Sequence, residues 1–407
     1  MHTLTQRTPT LVALLLCCAA CVAAVLVAQN GYGDNLDNYR MLRSWQQMVS
    51  HGLYQPSRFQ GNLPSELALG FSASQLGPLG TSLISALASL GSLVLGFRVL
   101  SRFTDPRRAA WALLPVAVNP YWILASCTAM DYIHPLPFYL FGVLMLLDQR
   151  THLAVISLAL AAGIRISFLP LGLFTLAWSF ALERQRNQRL IIAEAALAFL
   201  VVTGLIYVPA WISSHLGLSF LSSDRPTAQG WLGMSIRWLY KSIYLYGLVG
   251  ALVIAGVIGW HFSRPTQDRI KLSVSERRLV AAAVGVIAFH LLLFLYIPAR
   301  VQYLMPAMLG FAALCAVWRV QRVALLGLAL AQFSYWFVSI DLLQIDHATN
   351  DPCAGVRATN AQLAPHLGPG ILAPMWNNHG SDETLPCFRA MLLHPPSRIH
   401  DKLPAGH

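Results

Sequence analysis

Long apolar runs constrain this chain more than any other feature. Several of them approach or exceed the roughly 18–20 residues that an α-helix needs to cross a bilayer, and short polar segments separate them. Only 11% of the 407 residues are charged, whereas a soluble domain carries about 25%. The sequence therefore predicts an all-α, polytopic membrane protein with about 11 transmembrane helices.

The positive charge follows the pattern expected of a membrane topology. The formal net charge is +11, and more than half of the lysines and arginines fall in alternate loops, which are predicted to be cytoplasmic. This bias explains the basicity without a nucleic-acid partner. Arg7 precedes the first apolar run, residues 11–28, so the N-terminus is predicted inside. A cleaved signal peptide is the alternative, but the length of the run favours a retained anchor.

The chain divides into two regions of different composition. Residues 1–340 are predicted to form the transmembrane domain, with residues 31–78 as a large first outer loop. Residues 341–407 form a polar, Pro-rich tail. An odd number of spans after a cytoplasmic N-terminus places this tail outside, on the periplasmic or extracellular side of a bacterial inner membrane. Spans two to four are expected near residues 79–99, 109–129 and 136–147, and residues 152–182 are expected to form a helical hairpin that turns near residues 163–165. The seventh span is expected near residues 191–212, and an outer loop with Arg237 and Lys241 follows it. The eighth span is expected to end near residue 260, the ninth to cover residues 279–297, the tenth to end near residue 319, and the eleventh to cover residues 323–340.

The first outer loop is the densest polar segment between apolar runs. Within it, residues 35–51 place apolar side chains at helical spacing and end before Gly52. This pattern predicts a helix that lies in the membrane interface, and residues 64–71 are expected to form a second short interfacial helix. A loop rich in acids and bases, tethered to spans at both ends, is where chemistry is expected.

Three acidic residues are candidates for that chemistry. Asp34 and Asp37 lie three residues apart at the start of the predicted helix, so they share a face. An acidic first turn is also what a helix N-terminus prefers, which is the alternative explanation. Asp131 follows another span but emerges on the same side, next to Tyr132 and His134. The alternative explanation for Asp131 is that it is an ordinary acidic residue of a loop.

Outward-side arginines are the second group of candidates. Arg165 and Arg300 lie at the edges of apolar runs, where burying a charge costs roughly 2.5–3.5 kcal/mol on insertion scales. A phosphate headgroup is a suitable partner, because the guanidinium fork matches its oxygens. The alternative is that these side chains snorkel to the surface. Arg58 lies in a polar loop, and its alternative is simple solvation.

These motifs resemble the GT-C class of glycosyltransferases, integral membrane enzymes that use lipid-phosphate-linked sugars. As in the oligosaccharyltransferase catalytic subunit, Asp34 precedes an Asn-Tyr-Arg element, residues 38–40. The segment 54–62 with Glu66, the acid Asp131 after the third span, and residues 300–306 with Arg, Tyr and Pro also match in order and sidedness. The resemblance covers about residues 10–340. The chain lacks the WWD-type motif and the large soluble domain of oligosaccharyltransferases, so a peptide sequon acceptor is not expected.

The resemblance implies an enzyme that moves a sugar from a polyprenyl-phosphate donor to an acceptor hydroxyl at the outer face. Asp34 is implied as the general base, with Asp37 as the runner-up. A divalent metal, Mg or Mn, is an option in this class, with Asp34, Asp37 and Asp131 as oxygen ligands. The residues implied in binding the donor phosphate and substrate are Arg58, Glu66, Asp131, His134, Arg165, Arg300 and Tyr303.

Two other functions remain open from the sequence. A flippase or transporter of lipid-linked saccharides is the main rival, although the paired halves with broken helices typical of transporters are not seen. A polysaccharide polymerase or ligase is the other, although its key loop is expected late in the chain. Expected partners are the lipid-linked sugar, membrane lipids, and a glycan, lipid or protein acceptor.

The polar tail contains two cysteines, Cys353 and Cys387. The predicted compartment is oxidising, which favours a disulfide between them. The bond would close a loop of about 35 residues and contribute roughly 3–4 kcal/mol by chain entropy.

The topology can be tested by cysteine labelling with a membrane-impermeant reagent. A cysteine introduced at position 60 is expected to be labelled from outside, because the first loop is predicted outside. A cysteine at position 186 is expected to stay unlabelled until the membrane is permeabilised. The reverse pattern would contradict both the topology and the functional interpretation.

Overall fold

The computed structural model describes residues 36–58, 61–183, 185–213, 230–263, 272–296 and 301–335. Every regular element in these ranges is helical. In chain order the helices are α1 (Leu36–His51), α2 (Leu63–Ser101), α3 (Pro106–Ala117), α4 (Pro120–Cys127), α5 (Pro135–Leu147), α6 (Thr151–Ile164), α7 (Phe168–Leu182), α8 (Arg186–Ser213), α9 (Gly230–Tyr244), α10 (Gly247–Ser263), α11 (Val274–Tyr296), a 3-10 helix (Val301–Leu304), α12 (Met305–Val317) and α13 (Arg322–Tyr335).

Helix length separates two groups of apolar helices. Within the described ranges, α2, α8 and α11 are long and apolar enough to cross a membrane, and the bent pairs α3–α4 and α9–α10 raise the number to five if each pair is one span. The other apolar helices have 13 to 15 residues in their regular part, or about 20 Å. The all-α membrane architecture is confirmed, while the count of about 11 spans stays a prediction.

The helix of the first outer loop forms as predicted. Helix α1 ends at His51, and Gly52 follows with φ +65°, its amide donating to the Met48 carbonyl over 3.1 Å. Glycine adopts this left-handed conformation without a steric penalty, which explains the stop. Met41 and Leu42 are buried, and the Trp45 ring meets Phe71 of α2 edge to face at 6.3 Å.

A kink divides α2 at the position where the first outer loop was predicted to end. Gly77 has φ +59° and ψ −144°, and Pro78 follows it. Proline lacks the amide that would continue the hydrogen-bond ladder, so the helix breaks there. The half before the kink is the second helix of the loop, longer than predicted, and the half after it corresponds to the predicted span at residues 79–99.

The third span predicted at residues 109–129 is bent in the structure. Helices α3 and α4 meet at a bend of 75°, with Val118 and Asn119 between them. The Asn119 side chain caps α4 by accepting from the amides of Tyr121 (2.9 Å) and Trp122 (3.1 Å), and Pro120 stands at the first helical position. A capping Asn before Pro starts a new helix rather than continuing the old one.

The segment predicted as an outer loop around Arg237 and Lys241 is helical, because both residues lie in helix α9. Its position outside the membrane stays a prediction. This helix meets α10 at a bend of 88°. Buried side chains satisfy the carbonyls at the bend: Asn119 donates to Leu245 over 2.8 Å, and Gln332 donates to Tyr246 over 2.7 Å. Side-chain partners of this kind satisfy the backbone polar groups that a broken helix leaves without a helical hydrogen bond.

The predicted break near residues 163–165 is present between α6 and α7. Both arms pack against one stretch of α5, where Tyr139 bonds Thr175 of α7 (3.0 Å) and Gly142 faces Leu158 of α6. The break places Arg165 and the residues after it at the tip of the pair.

Helix α8 packs along this pair and the first outer loop through glycines. Its Phe199 lies against Gly172, Ile206 against Gly163, and Ala210 against Gly61. A Cβ added at Gly61 would lie 2.5 Å from the Ala210 Cβ, and Gly61 also has φ +73°. The loop therefore meets α8 at a point where only glycine fits.

Two glycines with similar backbones make a matched test of this packing. Gly61→Ala is expected to lower stability by the left-handed strain, roughly 1–2 kcal/mol, and by a further 1–3 kcal/mol of overpacking, approximately. Gly52→Ala has the same sign of φ but open space around its Cβ, so only the strain is expected. Thermal unfolding in detergent measures both changes. Equal losses for the two variants would contradict a close contact at Gly61, as would a failure of Ala210→Gly to relieve Gly61→Ala.

Candidate functional site

A fully buried carboxylate, Asp131, lies at the centre of the site, in the loop that joins α4 to α5. Its Oδ1 accepts from Arg165 Nη1 at 2.8 Å and from Arg58 Nη2 at 3.3 Å. Its Oδ2 accepts from Arg58 Nη1 and from Asn62 Nδ2, both at 3.3 Å. One carboxylate thus holds two guanidinium groups from different segments of the chain.

Two tyrosine rings enclose Arg165. Its guanidinium carbon lies 4.1 Å from the centroid of the Tyr132 ring and 4.5 Å from that of Tyr303. The two rings meet edge to face at 5.6 Å. Cation–π contacts of this kind strengthen when they are desolvated, and the Arg165 side chain is only 7% exposed. The arginine at the tip of α6 is therefore fixed on three sides.

Glu66 anchors the segment that carries Arg58. Its Oε2 accepts from the Tyr54 hydroxyl at 2.7 Å, and its Oε1 accepts from the Ser57 amide at 2.8 Å. Burial raises the pKa of Tyr54, and the neighbouring Glu66 carboxylate raises it further. Tyr54 is therefore a hydrogen-bond donor over the whole working pH range.

His134 lies in the same loop as Asp131 but outside the arginine cluster. Its Nε2 is 3.0 Å from the Ser85 hydroxyl on α2. Burial lowers the pKa of His134 to about 4, against a smaller opposing effect of Asp131. The imidazole is therefore neutral near pH 7 and contributes no charge to the site.

The structure brings four of the predicted site residues together: Arg58, Asp131, Arg165 and Tyr303. The alternative readings of three of them are wrong. Asp131 is not an ordinary loop acid, because it is buried between two cations; Arg58 is not simply solvated; and Arg165 does not snorkel to the surface. Asp34 and Arg300, the Asp37 side chain, and Cys353 with Cys387 lie outside what the structure describes.

Two further residues of the site were not among the predicted site residues, although Asn62 belongs to the matching segment 54–62. Asn62 bonds Asp131, and Tyr207 of α8 donates from its hydroxyl to the Ala162 carbonyl at 2.6 Å, one turn before Arg165. Asn62 directly precedes α2, where a polar side chain is usually read as a helix cap. Tyr207 carries a hydroxyl group near the end of an apolar run, and this was the sequence feature that could have marked it as a site residue.

The metal option implied by the resemblance does not gain a ligand from Asp131. Both of its oxygens accept hydrogen bonds from guanidinium or amide donors, and a cation would compete with two positive charges there. Among the described residues, no three acidic, histidine or cysteine side chains are grouped as metal ligands. A metal held by Asp34 and Asp37 stays a prediction.

Comparisons with known proteins bear on the fold. No protein family profile matches the chain, and no curated protein does. The crystal structure of ArnT from Cupriavidus metallidurans bound to undecaprenyl phosphate matches 93% of this chain and 76% of its own, with a TM-score of 0.56 and 16% identity. The apo state of ArnT matches 94% and 76%, with a TM-score of 0.58 and 15% identity. The chain therefore has the fold of ArnT, in agreement with the fold that the sequence resemblance implied.

Proposed function

We propose that the chain transfers a sugar from a polyprenyl-phosphate donor to an acceptor hydroxyl at the outer face of the membrane. The observation that carries this proposal is the cluster of Arg58, Asp131 and Arg165 in an ArnT-like fold. ArnT has been crystallised with undecaprenyl phosphate, which has the same class of headgroup and tail as the proposed donor.

The charge of the cluster suits a phosphate. Two guanidinium groups face one carboxylate, so the trio keeps one net positive charge. A guanidinium fork binds phosphate oxygens in the same bidentate way as it binds a carboxylate. The proposed donor phosphate binds at this excess charge, with Arg300 as a further candidate ligand.

The first outer loop supplies the proposed base. Asp37 lies in the first turn of α1, and Asp34 lies two residues before that helix begins. Helix α1 packs against the half of α2 that precedes the kink, through Trp45 and Phe71. The first turn of that same half carries Glu66, which anchors the Arg58 segment. Asp37 and Arg58 therefore belong to segments that are joined through the packing of α1 on α2.

The proposed reaction is a displacement at the anomeric carbon. Asp34, or Asp37, takes the proton of the acceptor hydroxyl as general base. The acceptor oxygen attacks the anomeric carbon while the bond to the phosphate oxygen breaks, which inverts the configuration. The leaving group is polyprenyl phosphate, and the arginines stabilise the charge that develops on it.

The setting follows from the donor. Polyprenyl-phosphate sugars are membrane lipids, and the apolar helices place the chain in a membrane. We propose the inner membrane of a bacterium, with the site open to the periplasmic or exterior side. The acceptor is a glycan, a lipid or a protein hydroxyl.

Replacement of the two loop acids tests the base. Asp34→Asn keeps the shape and a capping oxygen but removes the basicity, so we expect sugar transfer to fall by about 10²–10⁴-fold while the protein stays folded. Release of polyprenyl phosphate from a panel of lipid-linked sugars is the measurement. Asp37→Asn is tested in parallel.

Asp105→Asn is the matched control, because Asp105 is an exposed acid that caps α3 away from the site. Its activity is expected to equal that of the wild type. Near-normal transfer by both Asp34→Asn and Asp37→Asn would contradict the assignment of the base to this loop.

A further inference from the structure

We infer that Glu66 is a positioning residue, which holds Arg58 in place through the segment 54–57 instead of binding substrate itself. The inference rests on the proposed function in one respect, namely that Arg58 binds the donor phosphate. It revises the substrate-binding role that the sequence implied for Glu66.

The first observation is that the Glu66 carboxylate is fully used inside the protein. The residue has no exposed surface, and each of its oxygens accepts a short hydrogen bond, from the Tyr54 hydroxyl and from the Ser57 amide. Glu66 also lies in the first turn of α2, where the helix dipole stabilises a negative charge. A carboxylate in this state is satisfied without a ligand.

The second observation is what these two bonds hold. Ser57 directly precedes Arg58, so the bond to its amide fixes the backbone from which the Arg58 side chain leaves. The Arg58 carbonyl then accepts from the Gly61 amide at 2.9 Å. A Cβ at Gly61 would lie 3.0 Å from the Tyr54 hydroxyl, so Tyr54 covers this turn. Glu66 thus holds both ends of the segment 54–57, which directly precedes Arg58.

The third observation is that Asp131 holds Arg58 less closely than it holds Arg165. The two contacts of Arg58 with Asp131 measure 3.3 Å, against 2.8 Å for Arg165. The Arg58 side chain is 15% exposed, against 7% for Arg165. The segment that Glu66 holds therefore carries the more accessible of the two guanidinium groups.

A conservative variant separates positioning from ligand binding. In Glu66→Gln, Oε1 can still accept from the Ser57 amide, and Nε2 can donate to the Tyr54 hydroxyl oxygen, which is also an acceptor. Glu66→Leu removes both bonds. A residue that bound a cation or substrate through its negative charge would fail in both variants.

Donor kinetics give the first measurement. We expect Glu66→Leu to raise the KM for the lipid-linked sugar about 10- to 100-fold with a smaller change in kcat, and Glu66→Gln to restore most of that loss. If Glu66 acts through Arg58, the double variant Arg58→Ala/Glu66→Leu will be no worse than Arg58→Ala alone. Equal loss in Gln and Leu variants, or additive losses in the double variant, would overturn the inference.

Hydrogen exchange gives a second measurement that needs no activity. In the purified full-length protein, Glu66→Leu is expected to speed amide exchange in a peptide covering residues 53–58, whereas Glu66→Gln stays close to the wild type. Unchanged exchange in Glu66→Leu would refute the anchoring role. A wild-type protein that transfers no sugar would count against the proposed function, while this exchange measurement would still decide the role of Glu66.

Discussion

One buried ion cluster organises the described part of the site: Asp131 shared by Arg58 and Arg165. The carboxylate is fully buried, and charges in such surroundings attract and repel more strongly than in water. Without Asp131, two guanidinium groups would lie close together with no counter-charge, which is strongly unfavourable. The cluster joins the first outer loop, the loop after α4 and the tip of α6. Arg58 and Asp131 are 73 residues apart in the sequence, and Asp131 and Arg165 are 34 apart.

Broken helices are a second feature of the described structure. Each break leaves backbone polar groups that must find partners inside the protein. Here amide side chains do this: Asn119 caps α4, which leads directly to Asp131, and Asn119 and Gln332 bond the carbonyls where α9 meets α10. Polar residues inside the bundle therefore support the loops from which the site is built.

Local sequence signals predicted α1, its stop at Gly52, the break near Arg165 and the placement of Arg58, Asp131 and Arg165 on the same side as one another. The pairing of these charges was not predictable, because it depends on contacts between distant segments and not on periodicity. The bend at Asn119 was missed because an apolar run with an internal Asn-Pro fits both a kinked span and two helices. Helix α9 was missed because Arg237 and Lys241 suggested a loop, although its exposed apolar residues share one face: Trp231, Leu232, Ile236 and Leu239.

The proposed function depends on the binding of a polyprenyl lipid phosphate by the arginine cluster. Native mass spectrometry of the purified protein with undecaprenyl phosphate and with undecaprenol separates recognition of the phosphate from binding of the tail. We expect retention of the phosphate lipid over the alcohol, and a loss of about tenfold or more in Arg58→Ala. Arg102→Ala, which removes an exposed arginine paired with Asp148, is the control and should bind normally. Equal retention of the two lipids, or normal binding by Arg58→Ala, would show that the cluster does not bind the phosphate.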